Sequence, residues 1–132
     1  MSPQINLTGV WHGLYTYPRH LQRVLFDATL IESGQWLSGS THEICATGPH
    51  RGEMLYATLL GERSGSLVTF RKTYDGRVPN YSHSIDYEGA ISSDASEIEG
   101  RWKITSTWSG KFLMIRSMGK EQAVETKVFE RI

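Results

Sequence analysis

The fold is decided by one stretch of sequence, Ile98-Glu-Gly-Arg-Trp102-Lys-Ile104-Thr-Ser-Thr-Trp108-Ser-Gly110-Lys-Phe112-Leu-Met114-Ile-Arg116. Its first half places Ile98, Trp102 and Ile104 on one face of an extended chain and charged or hydroxyl side chains on the other. This alternation is typical of a strand with one buried and one solvated face. Ser109-Gly110 predicts a tight reversal, because glycine adopts positive φ at little cost. A second strand follows, and two strands are not stable alone in water, so we expect further strands around them.

Turn and loop signals divide the preceding chain into six more alternating segments. We expect strands at 7–17, 22–32, 36–45, 54–63, 66–74 and 81–91, with the seventh and eighth in the stretch quoted above. Short links favour antiparallel neighbours, and a sheet of eight strands commonly closes and so removes its exposed edges. The sequence therefore predicts an all-β protein, an eight-stranded antiparallel up-and-down barrel that forms one domain over residues 1–132. A two-sheet sandwich is the alternative, and residues 121–132 are interpreted as a short helix or a last strand.

The composition argues against several classes of function. The chain has 14 Lys and Arg against 14 Asp and Glu, and a nucleic-acid binder usually carries a basic excess. No apolar run approaches the roughly 18 residues of a membrane-spanning helix, and the first residues lack a signal-peptide pattern. We therefore expect a cytoplasmic protein with no nucleic-acid or membrane partner. Cys45 has no second cysteine to pair with, and the five histidines lack the spacing of a metal site, so neither a metal nor a cofactor is expected.

Short aromatic and glycine motifs recur along most of the chain. They are Gly9-x-Trp11, Phe70-x-Lys72-x-Tyr74, Tyr87-x-Gly89, Gly100-x-Trp102-x-Ile104 and Gly110-x-Phe112-x-x-x-Arg116. Their order resembles the calycin group of β-barrels, which includes lipocalins, fatty-acid-binding proteins and avidins. The resemblance implies that the Trp11 indole closes one end of the barrel and that Arg116 packs across it. Residues 9–18 also resemble the opening of nitrobindin-type haem barrels, but those use a histidine near the C-terminus, and none follows His83.

Alternation places a mainly aromatic set of side chains inside the predicted barrel. The set is Trp11, Tyr15, Phe26, Leu30, His42, Phe70, Tyr74, His83, Ile85, Tyr87, Trp102, Ile104, Phe112 and Met114. An eight-stranded interior is only just wide enough for side chains or one small ligand, so we expect at most a small apolar or aromatic molecule near one open end. The candidate ligand-binding residues are Tyr15, His42, Tyr74, His83, Tyr87 and Trp102. A filled core without a ligand is the alternative, and a one-residue error would reverse the facing of a strand.

Two strands are apolar on both faces, which is unusual for a wall that meets water. Leu55, Ala57 and Leu59 alternate with Met54, Tyr56 and Leu60, and Leu113 and Ile115 lie opposite Phe112 and Met114. Either the C-terminal segment or a second subunit is expected to cover them, and we predict a homodimer. Three functions follow in order: a non-enzymatic small-molecule-binding barrel, a structural or protein-interaction module, and an enzyme that uses His42 or His83 with a nearby carboxylate.

Overall fold

A computed structural model describes residues 5–18, 23–46, 48–79, 83–105 and 108–117. The strands are β1 (Gly9–Thr16), β2 (Arg23–Ser33), β3 (Trp36–Ile44), β4 (Met54–Ser64), β5 (Leu67–Tyr74), β6 (Ser84–Ile91), β7 (Glu97–Thr105) and β8 (Trp108–Arg116). Each strand pairs antiparallel with the next, and β1 also pairs with β8, so the sheet closes. This closure confirms the predicted all-β, eight-stranded antiparallel barrel and shows that the sandwich alternative is wrong. Within these ranges no helix occurs that could cross a membrane.

Alternation along the strands sets which side chains lie inside. On β2, for example, buried Val24, Phe26, Ala28 and Leu30 alternate with more exposed residues, as the pleat of a half-buried strand requires. Most of the predicted inward set is buried, each side chain 6 % exposed or less: Trp11, Tyr15, Phe26, Leu30, Phe70, Tyr74, Ile85, Tyr87, Trp102, Phe112 and Met114. The sequence pattern therefore predicted the facing of six of the strands, namely β1, β2 and β5 to β8, and it gave no facing for β4.

The facing predicted for β3 is wrong. The side chain of His42 lies on the outer wall and is 50 % exposed, whereas its neighbours Thr41 and Glu43 are buried. The middle of β3 reads Ser-Gly-Ser-Thr and contains no apolar residue that could mark the inner face, so a one-residue error reversed the whole strand.

Two other predicted inward residues lie at the rim of the barrel instead. His83 is exposed and precedes the first residue of β6. Ile104 is 41 % exposed, next to an irregularity in the β7–β8 register between Lys103 and Thr105. Both positions are at strand ends, where alternation no longer decides burial.

The reversal predicted at Ser109-Gly110 is also wrong, because both residues belong to β8. Gly110 pairs with Trp102, and a Cβ atom at Gly110 would lie 2.0 Å from the Thr16 carbonyl oxygen and 2.6 Å from the Trp102 indole nitrogen. The glycine therefore serves the close packing of an indole against the backbone, not a turn.

The two ends of the barrel differ. We call the closed end the one that carries the tight turns at Gly34 and Gly65, both with φ of 63°. There the guanidinium carbon of Arg116 lies 5.4 Å from the ring centroid of Trp11, whose indole N–H donates to the Leu7 carbonyl oxygen at 2.9 Å. The open end is the one where β1 ends at Thr16 and where the longer loop that contains residues 45–46 and 48–53 connects β3 to β4.

The two strands with apolar outer faces differ in how far their outer side chains are exposed. Leu113 and Ile115 of β8 form a buried cluster with Leu14 of β1 on the outer wall. In contrast, Tyr56 and Leu60 of β4 are exposed. Residues 121–132, which are predicted to cover these strands, lie outside the described residues.

Candidate functional site

The open end of the barrel contains a pocket of about 370 Å³, which we call the mouth pocket. Its lining residues are Tyr15, Tyr17, Gly48, Pro49, His50, Tyr74, Pro79, His83, Ile85, Tyr87, Trp102, Ile104 and Trp108. Five of the six candidate ligand-binding residues are among them, namely Tyr15, Tyr74, His83, Tyr87 and Trp102. The sixth, His42, lies on the outer wall. The structure thus brings together in one cavity residues that are up to 87 positions apart in the sequence (Tyr15 to Trp102).

The strands supply the pocket walls at inward positions near their open ends. Tyr15 is the second-last residue of β1, and Tyr74 is the last residue of β5. Tyr87 of β6 pairs with Trp102 of β7, so the two side chains lie side by side on the inner face. Because these residues are part of a closed hydrogen-bonded sheet, their Cα positions are fixed by the barrel.

The aromatic wall is held by edge-to-face contacts. The Trp102 ring centroid lies 5.8 Å from that of Tyr17 and 6.2 Å from that of Tyr15, at interplanar angles of 81° and 78°. Trp102 Nε1 donates a hydrogen bond of 3.0 Å to the Thr16 carbonyl oxygen. Edge-to-face pairs of this kind are favoured by the ring quadrupoles. The indole is therefore held in position by ring contacts and by a hydrogen bond to the backbone.

A buried ion pair lies beneath the pocket. Glu43 of β3 and Lys72 of β5 are only 3 % and 1 % exposed, and Lys72 Nζ donates a short hydrogen bond to Glu43 Oε1. The Tyr15 hydroxyl donates a short hydrogen bond to Glu43 Oε2, and the Tyr74 hydroxyl donates to Oε1 at 3.1 Å. A buried carboxylate requires such donors, because an unpaired charge in the interior costs several kcal/mol. Three donors therefore converge on one carboxylate.

Aromatic rings surround the ammonium group of Lys72. Its Nζ lies 4.8 Å from the ring centroid of Tyr74, 5.1 Å from that of Tyr15 and 5.4 Å from that of Phe26. Burial lowers the pKa of Lys72 below its usual value, and the attraction and hydrogen bond of Glu43 oppose this shift. The faces of the rings carry negative potential, which offsets part of the desolvation of the ammonium group.

The tyrosines of the site keep their protons at neutral pH. Burial raises the pKa of Tyr15 and Tyr74, and the negative charge of Glu43 raises it further. The pKa of Tyr87 is raised in the same way, by burial first and then by Glu43. The hydroxyl groups of Tyr15 and Tyr74 are therefore donors to Glu43, not phenolates.

Sequence reasoning missed Glu43 and Lys72, although a signal was present for one of them. The motif Phe70-x-Lys72-x-Tyr74 places Lys72 on the same inward face as two aromatic residues. A lysine among inward aromatic residues requires a buried acidic partner. The partner was missed because β3 was assigned the opposite facing, which placed Glu43 on the outer wall.

His42 takes part in a separate polar cluster on the outer wall. Its Nε2 lies 3.3 Å from Asp27 Oδ2, and His12 Nδ1 lies 2.5 Å from Asp27 Oδ1. These three side chains line a depression of about 630 Å³ on the outside of β1–β3. A carboxylate thus lies within reach of His42, but it is not inside the barrel. In the described part of the chain, no group of three or more His, Cys, Asp or Glu side chains is arranged to hold a metal ion.

A comparison of the chain with models of known protein families and with curated proteins found no match. The fold and the site alone therefore define its class. It is a closed eight-stranded antiparallel barrel with an aromatic mouth pocket above a buried Glu–Lys pair.

Proposed function

We propose that the protein is a non-enzymatic binding barrel of the calycin type, and that it holds a small planar aromatic molecule in the mouth pocket. The observation that carries this proposal is the pocket itself, about 370 Å³ at the open end, with walls of Tyr15, Tyr17 and Trp102. Ligand pockets are typically concave, mostly apolar and a few hundred Å³ in volume, with a small number of polar groups that orient the ligand. Trp102 also belongs to one of the calycin-like motifs, Gly100-x-Trp102-x-Ile104.

The size and shape of the ligand follow from what fills the barrel below the pocket. Phe70, Tyr87 and Phe112 contact one another in the core, with ring centroids 5.0 Å apart for Tyr87 with each of the other two. Lys72 is fully buried beside them. A long lipid tail therefore has no channel to enter, whereas a flat ring system can stack against the wall of the pocket. We keep the sequence-based prediction that the protein acts in the cytoplasm.

A matched pair of tryptophan substitutions tests the proposal. Ile104 lines the mouth pocket and is partly exposed, so Ile104→Trp should occupy ligand space without disturbing the core. Ile31, an exposed residue of β2 outside the pocket, provides the control Ile31→Trp. We expect small aromatic compounds, screened by thermal shift, to raise the melting temperature of the wild type and the control by several degrees. The same compounds should have little effect on Ile104→Trp, and equal shifts in both variants would contradict the proposal.

A second candidate function, acid–base catalysis, is favoured by the cluster of His12, Asp27 and His42. A histidine within hydrogen-bond reach of a carboxylate in a depression is a common arrangement for a general base. We expect any hydrolysis of a reactive test ester, such as 4-nitrophenyl acetate, to fall in His42→Asn if this cluster is active. A rate equal to that of the wild type would exclude the candidate.

The homodimer stays a prediction. Because the barrel is closed, none of the eight strands that the structure describes has a free edge for pairing between subunits, so a dimer contact of these strands would use side chains of the outer wall. Exposed apolar residues such as Ile44 and Leu60 are available there. Light scattering at micromolar concentration measures the molecular mass, and a single species near 14.9 kDa would contradict the prediction.

A further inference from the structure

We propose that the mouth pocket selects aromatic molecules that carry a hydrogen-bond donor, such as phenols and aromatic amines, over molecules of the same shape that offer only acceptors. This inference rests on the proposed function, because it names the chemistry of the ligand in the same pocket. It is carried by the way in which Glu43 orients the hydroxyl groups of Tyr15 and Tyr74.

The charge of Glu43 determines the direction of the hydrogen bonds around it. An ionised carboxylate only accepts, so each hydroxyl group that bonds to Glu43 must donate to it. A tyrosine hydroxyl has one proton, and here that proton is already directed to the carboxylate. Tyr15 also shares side-chain hydrogen bonds with Tyr17 and Tyr74. Any capacity that remains at an oxygen whose proton is directed to Glu43 is that of an acceptor. Lys72, which can only donate, bonds to Glu43 Oε1, the same oxygen that accepts from Tyr74.

The bond to a charged group holds the two tyrosine hydroxyl groups firmly in this orientation. Hydrogen bonds to an ionised group are stronger than those between neutral groups, so a ligand does not easily turn a hydroxyl away from Glu43. The raised pKa of Tyr15 and of Tyr74, caused first by burial and then by Glu43, means that neither proton is lost near neutral pH. The hydroxyl oxygens of Tyr15 and Tyr74 therefore remain hydrogen-bond acceptors over the whole physiological pH range.

The lining of the mouth pocket determines which groups a ligand can contact. Tyr15 and Tyr74 line the mouth pocket, whereas Glu43 and Lys72 lie behind them and do not line it. A ligand at the bottom of the pocket therefore contacts the tyrosines and not the charged pair. Trp102 and Tyr17 also line the pocket, and an aromatic ring attracts an N–H or O–H group wherever its face is accessible, because that face carries negative potential.

Three probes of similar size test the inference on the full chain by isothermal titration calorimetry. They are 2-naphthol, which carries a donor, 2-methoxynaphthalene, which keeps the oxygen but loses the proton, and 2-methylnaphthalene, which has neither. We expect 2-naphthol to bind about tenfold more tightly than the other two, as is typical of one additional hydrogen bond in a buried site.

A pair of tyrosine variants assigns the preference to the oriented hydroxyl groups. Tyr15→Phe removes one acceptor oxygen and keeps the ring, so the tenfold preference should shrink towards unity. Tyr56→Phe alters an exposed tyrosine outside the mouth pocket and should leave the preference unchanged. If Tyr15→Phe fails to fold, Tyr74→Phe provides the same test, and the comparison of probes on the wild type needs neither variant.

The outcomes separate the inference from the proposed function. Equal affinities for the three probes, or tighter binding of the methyl ether, would overturn the donor preference and leave the binding barrel standing. Failure of all three probes to bind would overturn both. A donor preference that survives in Tyr15→Phe and in Tyr74→Phe would also overturn the inference, because its physical cause would lie elsewhere.

Discussion

Among the residues that the structure describes, each end of the barrel buries a carboxylate paired with a cation, but the two pairs have different further partners. At the closed end, Arg63 Nη1 lies 3.0 Å from Glu32 Oε1 and donates to the Ile5 carbonyl oxygen at 2.7 Å, while the Leu7 N–H donates to Glu32 at 2.8 Å. That pair binds backbone groups of the N-terminal segment and fastens it to the barrel.

At the open end, Glu43 accepts hydrogen bonds from three side chains, namely Lys72, Tyr15 and Tyr74. Two of these partners line the mouth pocket. We infer that the pair at the closed end has a structural role, because its further partners are backbone groups. The pair at the open end has hydroxyl groups of a cavity wall as partners, and we propose that it sets the polarity of the binding site.

The largest effect is expected from breaking the pair at the open end. Lys72→Met leaves Glu43 as a buried, uncompensated charge, so we expect the free energy of unfolding to fall by about 4 kcal/mol. Urea denaturation at neutral pH measures this change. The double variant Glu43→Gln/Lys72→Met should lose clearly less than the sum of the two single variants, because it removes both charges. Additive losses would show that the two side chains do not interact.

Alkaline pH gives the next largest effect, through the tyrosines around Glu43. The pKa values of Tyr15, Tyr74 and Tyr87 are raised above 10.0 in the folded state, so above pH 10 the unfolded chain releases protons that the folded chain keeps. Stability is therefore present below pH 10 and lost as the pH rises, by about 4 kcal/mol per pH unit for the three tyrosines together.

Lys72 contributes to the pH dependence of stability with the opposite sign. Its pKa in the folded state lies below 10.5, so stability rises with pH between that pKa and 10.5. Three tyrosines outweigh one lysine above pH 10. We expect phenolate absorbance at 295 nm to rise together with the loss of the barrel's circular dichroism. Complete ionisation of the tyrosines near pH 10 in an intact barrel would contradict the burial of these hydroxyl groups.

A smaller effect is expected at the closed end. Arg63→Met removes the ion pair, but Glu32 keeps the hydrogen bond from the Leu7 N–H, so we expect a loss of about 2 kcal/mol in the free energy of unfolding. Affinity for an aromatic ligand should stay at the wild-type value, as measured by calorimetry below the melting temperature. A loss of affinity equal to that of Lys72→Met would remove the distinction between the two pairs.

The smallest effect concerns the indole at the closed end. Arg116→Ala removes a guanidinium group that lies over Trp11 and donates to the Thr8 carbonyl oxygen at 2.6 Å. We expect a loss of about 1 kcal/mol, which corresponds to a melting temperature lower by several degrees. An unchanged melting temperature would show that this contact contributes nothing to the closure of the barrel.

The barrel could be predicted because its signal is local and repeated. In β7 the alternation of Ile98 and Trp102 with charged neighbours is complete, and short links leave antiparallel pairing as the simple solution. The role of Gly110 could not be predicted, because the reason for a glycine there is the indole of Trp102 on another strand, and alternation in one strand contains no information on that contact.

The candidate site could be predicted only in part, for a related reason. Tyr15, Tyr74 and Tyr87 are inward by alternation, and the closed sheet brings them to one end. Glu43 could not be found, because the polar sequence of β3 does not mark its inner face. The buried charge beneath the pocket thus depends on a strand whose facing is set by its neighbours and not by its own residues.

A crystal structure of the protein with 2-naphthol would show directly whether the mouth pocket binds an aromatic molecule that carries a donor. We expect the naphthalene ring to lie in the mouth pocket against Trp102, with its hydroxyl group within hydrogen-bond distance of the Tyr15 or Tyr74 oxygen. A naphthol bound on the outer wall, or a mouth pocket closed by its own side chains while the compound binds elsewhere, would contradict it.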